Sequence, residues 1–109
     1  MQRIAPRGGE KTTALDVARV SHVVAKDTLT FAVVNGCEHV VDSTLTELEE
    51  RLDARRFVRV HRATIVNVAF IQELHPGVDG LLVRLKDDRT TELSVARDRV
   101  RALKERLGI

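Results

Sequence analysis

The chain predicts a mostly β domain with two short helices, an α+β arrangement, and three observations predict it. β-Branched apolar residues come in strand-length runs, turn residues punctuate those runs at short intervals, and only two stretches space their apolar residues as a helix does. With 109 residues, 43% hydrophobic and 31% charged, the chain has apolar surface for one modest core and too little length for a second folded domain. Residues 1–11 hold Pro6, Gly8 and Gly9 among Arg3, Arg7 and Lys11. They read as a linker end or a first strand and turn, which leaves 12–109 as the domain proper.

The elements follow in order. Val20, Val23-Val24, Leu29, Phe31-Ala32-Val33-Val34 and Val40-Val41 form short runs broken at Lys26-Asp27 and Asn35-Gly36. The Asn-Gly pair favours the tight turn that matches strand twist, so 29–34 and 38–41 are predicted to form a hairpin. Asp42-Ser43-Thr44 offers a helix start. A threonine hydroxyl accepts from the first free backbone N–H groups, and Glu47, three residues after Thr44, completes a capping box. Leu45, Leu48 and Leu52 then define the apolar face, opposite Glu47, Glu49, Glu50 and Arg51.

The pattern returns to strand at 57–60, with Val58 and Val60 on one face and Phe57, Arg59 and His61 on the other. Residues 65–71 are apolar apart from Asn67 and are read as a buried strand at the centre of the core, followed by a turn into Gln72-Glu73-Leu74. A turn at 76–80, a strand at 81–85, a polar tip at Lys86-Asp87-Asp88-Arg89 and a returning strand at 91–95 complete the β portion. The chain ends in a helix with Ala96, Val100, Leu103 and Leu107 on one face and Gly108 as its stop.

Several function classes lack support. No stretch approaches the roughly 18 apolar residues of a membrane helix, and 1–6 lack the apolar segment of a secretory signal, so the cytoplasm is the expected compartment. Cys37, the one cysteine, allows neither an internal disulfide nor a C-x-x-C zinc site. No nucleotide, hydrolase or metalloprotease motif is present, and no cofactor is expected. Cys37 and His39 project from one strand face as a nucleophile and base would, against the commoner case of a small buried cysteine beside a turn. His22, His39, His61 and His75 lack metal-ligand spacing. Phe31, Phe57 and Phe70 sit among apolar strand residues and read as core, which disfavours base stacking on single strands.

Charge is informative in its distribution. Lys plus Arg number 18 against 16 acidic residues, for a formal +2. The acidic stretch from Glu38 to Glu50 gives way to Arg51, Arg55, Arg56, Arg59 and Arg62 against Asp53 alone. A second basic cluster, Arg97, Arg99, Arg101, Lys104 and Arg106, closes the chain. Arginine's planar fork suits phosphates and guanine edges.

The segment Phe57-Val58-Arg59-Val60-His61-Arg62-Ala63-Thr64-Ile65-Val66-Asn67, followed by Phe70-Ile71 and preceded by the helix at 45–52, resembles the signature of LytTR-type DNA-binding domains, F-x-R-x-H-R-S-x-x-V-N. Leu93-Ser94-Val95-Ala96-Arg97 resembles that family's last strand and the opening of its last helix, and the region from Val20 to Phe31 fits its early strands. The resemblance covers essentially the whole chain. It implies an elongated arrangement of short antiparallel sheets with two short helices, the output domain of a bacterial transcriptional response regulator. Such a domain binds duplex promoter DNA at paired direct repeats by inserting loops into major grooves. A receiver domain in the full-length protein and a homodimer on DNA are implied with it.

Carried over residue by residue, the resemblance places the DNA contacts at Lys26 and Thr28, at Arg59, His61 and Arg62, and at Arg97 and Arg99. Arg62 is the expected main base reader, Lys26 and Arg99 fit phosphates, and Arg59 and His61 lie beside the reading surface or brace its loop. Asn67 is expected to be a buried loop organiser. Four departures stand out: Val24 where the family often has an acid, Leu29 in place of an aromatic, and Ala63 and Ala96 in place of serines. The rival readings are a protein-interaction or dimerisation module with a basic surface, and a small hydrolase built on Cys37 and His39.

Overall fold

The computed structural model describes residues 3–4 and 15–109. Strand β1 (Arg3–Ile4) pairs with β2 (Leu15–Asp16); the turn expected around Pro6 and Gly9 lies outside the described residues. Asp16 caps a 3-10 turn at Val17–Arg19, its carboxylate accepting from the Ala18 N–H at 3.1 Å. Strands β3 (Val20–Lys26), β4 (Leu29–Val34), β5 (Cys37–Val41), β6 (Phe57–His61) and β7 (Thr64–Asn67) form an antiparallel sheet in the order β5-β4-β3-β7-β6. Asn35 and Gly36 both take positive φ, 51° and 78°, as the predicted hairpin turn requires.

Helix α1 (Leu45–Arg51) starts where the cap predicts. Thr44 Oγ1 accepts from the Glu47 N–H at 3.1 Å, and Glu47 Oε1 accepts from the Thr44 N–H at 2.9 Å. Its Leu45 and Leu48, with the following Leu52, pack on one face of the sheet against Val23, Ala32, Phe57 and Ile65. The opposite face carries Val58, Val60 and Val66, covered by a second antiparallel sheet of β8 (Ile71–Gly77), β9 (Gly80–Leu85) and β10 (Glu92–Ser94) and by helix α2 (Val100–Leu107). Strands β6 and β7 therefore lie between two apolar clusters, and alternation along β6 sends Phe57 to one and Val58 and Val60 to the other. The molecule measures 42 × 27 × 26 Å, elongated along one axis. Gly108, at φ 75°, ends α2 as expected.

Several sequence expectations need correction. The apolar run at 65–71 is not one strand, because Asn67 caps a 3-10 turn at Val68–Phe70 that breaks it. The strand that follows, β8, escapes a period-two reading because its register shifts between Ile71 and Glu73. Pro76 and Gly77 belong to β8 rather than to the turn, and Pro76 is tolerated there because β8 is an edge strand. Cys37 is exposed, since it opens edge strand β5, and only Phe57 of the three phenylalanines is fully buried. Phe31 and Phe70 are half-buried.

His22 is buried on β3, its Nδ1 paired with Ser21 Oγ at 3.0 Å. Burial holds its pKa below the ordinary 6.5, outweighing the opposing pull of Asp87 and Glu38. A depressed base pKa means that the fold binds the proton less well than the unfolded chain does. The stability contributed by the neutral ring is therefore complete above pH 6.5 and is lost as pH falls through the lowered value. The unfolding midpoint is expected to be flat above neutrality and to decline below pH 6.5, with the onset of decline displaced to lower pH in His22→Gln. Glu47, held low by its backbone hydrogen bond with Thr44 and then by the Thr44 hydroxyl, adds the same sign at more acid pH. A midpoint that rises on acidification would contradict this account.

Candidate nucleic-acid interface

Strand pairing brings two hairpin turns to the same end of the five-stranded sheet. The β3–β4 turn, Asp27-Thr28, and the β6–β7 turn, Arg62-Ala63, become neighbours because β3 pairs with β7, Val24 opposite Thr64. The Ala25 N–H extends that pairing by donating to the Ala63 carbonyl at 2.9 Å. A third segment joins them: the Ala96 N–H donates to the Val60 carbonyl at 2.8 Å, holding the 3-10 turn Arg97–Arg99 beside the end of β6. The predicted residues from three separated parts of the sequence thus fall on one end and flank of the molecule.

Their side chains divide into two groups. Arg62 and Arg97 are exposed, and among the described residues neither guanidinium has a hydrogen bond or ion pair. Lys26, Arg59 and Arg99 are paired. Lys26 Nζ lies 2.7 Å from Glu38 and 5.1 Å from the centre of the Phe31 ring. Arg59, only 14% exposed, donates to the Arg62 carbonyl at 2.5 Å, the His61 carbonyl at 3.4 Å, Glu49 at 3.1 Å and Thr46 Oγ1 at 3.3 Å. Glu49 also reaches Arg99 at 3.6 Å, so a single α1 carboxylate ties the β6–β7 turn to the segment that precedes α2.

The two hairpin turns are conformationally fixed. His61 Nδ1 accepts from the Ala63 N–H at 3.2 Å, which leaves Nε2 as the protonated nitrogen of the neutral ring. Asp27 and Thr28 stand at φ 52° and 64°. For a β-branched residue that conformation is sparsely populated and costs about 1–3 kcal/mol, a strain that often marks functional loops. Asn67, 4% exposed, donates to the Val20 carbonyl at 2.9 Å and accepts from the Ala69 N–H at 3.0 Å, the organiser that the sequence suggests.

Glu49 and Thr46 are the participants that sequence reading missed. They stand three apart on α1 and share one side of it, a spacing visible in the sequence, but only the packing of α1 beside β6 supplies their arginine. The first basic cluster also divides: Arg55 and Arg56 precede β6 and Arg62 follows it, about 20 Å away at strand rise. Cys37 is exposed and His39 half-buried, and neither side chain has a hydrogen-bond partner among the described residues.

The family model of the LytTr DNA-binding domain matches residues 10–108. The chain belongs to the LytTr DNA-binding domain family. Among relatives, it is 30% identical to the heme-containing CO-sensing transcriptional regulator RcoM 2 of Paraburkholderia xenovorans, over 96% of this chain and 42% of that protein. It is 25% identical to the sensory transduction protein LytT of Bacillus subtilis, over 98% of this chain and 44% of that one. The LytTr domain thus spans less than half the length of these two relatives. A solved LytTr DNA-binding domain, from a putative methyl-accepting/DNA response regulator of Bacillus cereus, superposes with a TM-score of 0.86 over 100% of this chain and 99% of its own, at 22% identity, which establishes the shared fold. No described helix is long and apolar enough to cross a membrane.

Proposed function

We propose that this LytTr domain recognises duplex promoter DNA by sequence, inserting turns rather than a helix into the major groove, as the output domain of a bacterial response regulator. The observation that carries the reading is the contrast among its arginines. Among the described residues the guanidinium groups of Arg62 and Arg97 project unpaired from adjoining segments, while Arg59 and Arg99 are engaged by Glu49. An arginine with a free fork on a braced turn can grip guanine O6 and N7 bidentately. Thr28, exposed on the neighbouring turn, adds a short hydroxyl reader. Lys26 and Arg99 sit where phosphates would compete for charges now shared with Glu38 and Glu49. His61 shapes the Arg62 turn through Ala63, and Arg59 acts from behind it. In the complete protein a receiver domain supplies control, and one copy on each of two direct repeats makes the bound form a homodimer.

Arg59 is a positioning residue in this account. Arg59→Lys keeps the charge but loses the fork that spans Arg62, Thr46 and Glu49. The expected result is a folded domain whose preference for its best duplex over single-base variants shrinks about tenfold, while salt-sensitive binding to unrelated duplex persists. An undiminished preference would remove Arg59 from this role. The proposal as a whole is tested by selection from a random duplex pool: enrichment of a defined motif supports it, and a pool that stays random after successive rounds overturns it.

A further inference from the structure

The hairpin turn between β8 and β9 stands apart from everything assigned above. Gly77 pairs with Gly80, leaving Val78 and Asp79 as its two-residue tip. The glycines fix its shape. A Cβ at Gly77 would come within 2.8 Å of Leu82 Cδ1, and Gly80 takes φ 137°, which side-chain-bearing residues rarely adopt. At the tip, Val78 is 102% exposed, against a fully buried Val83 on the same hairpin.

A lone exposed valine ordinarily needs no explanation. This one borders a groove of about 460 Å³ whose other wall includes His61, Ser94 and Arg97, so the tip adjoins the proposed reading surface. Asp79 limits what the tip can meet. A carboxylate beside backbone phosphates is repelled, whereas at base edges it accepts from the cytosine N4 amine. An apolar branched side chain beside it matches the one apolar group on a major-groove edge, the C5 methyl of thymine.

We infer that the Val78-Asp79 turn is a further specificity element of the DNA interface, with Val78 packing on a thymine methyl in the groove entered by Arg97. This rests on the proposed recognition of duplex DNA. Burying one methyl against valine is worth about a three- to fivefold change in affinity.

Uracil exchange removes that methyl and leaves base pairing intact, so the test is a thymine-to-uracil scan of the best duplex recovered from a random pool. Binding is measured for the 109-residue chain and for Val78→Ala. At one thymine the exchange is expected to weaken the parent about three- to fivefold and to leave Val78→Ala unaffected, with all other positions behaving alike in both proteins. Equal sensitivity of the two proteins at every thymine, or no sensitivity in the parent, overturns the inference while leaving duplex recognition intact. A parent that binds selected and scrambled duplexes equally removes the underlying reading itself. Because Val78 makes no buried contact, an unchanged unfolding midpoint accompanies the expected result.

Discussion

Arg62→Ala is expected to weaken binding to the best duplex by about 1–3 kcal/mol and to relax selection at the base pair it reads. The size follows from what is removed. The Arg62 side chain is exposed and has no hydrogen bond or ion pair among the described residues, so its truncation costs the fold little and takes away a whole bidentate contact. Its backbone stays in place, because Arg59 holds the Arg62 carbonyl and the Ala63 N–H remains on His61. Fluorescence anisotropy against the parent duplex and its single-base variants measures both effects. Cys37→Ala, at the exposed start of edge strand β5, is expected to leave binding unchanged. Parent-like affinity in Arg62→Ala would take the reading role from this residue, and a loss spread evenly over all sequences would make it a phosphate contact.

The largest loss of stability is expected from Leu103→Ala, about 2–5 kcal/mol. Leu103 is 0% exposed and packs among Val58, Val60, Val83, Leu85 and Val95, where α2 closes the second apolar cluster. Truncation loses the transferred methyl groups and leaves a cavity whose β-sheet walls relax only in part. Against a total of about 5–15 kcal/mol for a domain of this class, that is a large fraction. Urea unfolding is expected to show a lower midpoint with an unchanged slope. The effect reaches the interface as well: Arg97 and Arg99 precede α2, and a loosened helix widens the range of positions they sample. An unchanged midpoint would mean that α2 does not seal this core.

Local rules made much of the fold legible. The Asn35-Gly36 turn, the Thr44–Glu47 capping box and the Gly108 stop each depend on neighbours in sequence, and each is found where the residues predict. β8 was hidden because a bulge offsets its apolar positions and Pro76 disguises its end. The exposure of Cys37 depends on β5 being the last strand of its sheet, a matter of topology rather than pattern. At the candidate interface, the signature around His61 and Arg62 marks the end of the sheet where the β3–β4 turn and the segment at Arg97 also gather. It left open whether Arg59 lies beside the surface or braces the loop, because that depends on the partners the tertiary fold brings near. Glu49 belongs to the same class: a helix-surface glutamate in sequence and a two-arginine anchor in space. Ala96 caps its 3-10 turn without a side-chain bond, at a position where the resemblance expects a serine hydroxyl, so that segment is held by the Ala96 N–H on Val60 instead.

The central claim is that these turns read sequence rather than merely attracting phosphate. Anisotropy titration of the selected duplex and of its scrambled counterpart, at a low and a high salt concentration, separates the two. Counterion release weakens both complexes as salt rises, but base contacts carry no such dependence. The account predicts a preference for the selected duplex of about tenfold or more that survives at high salt. Equal affinities at low salt that vanish together at high salt would contradict it.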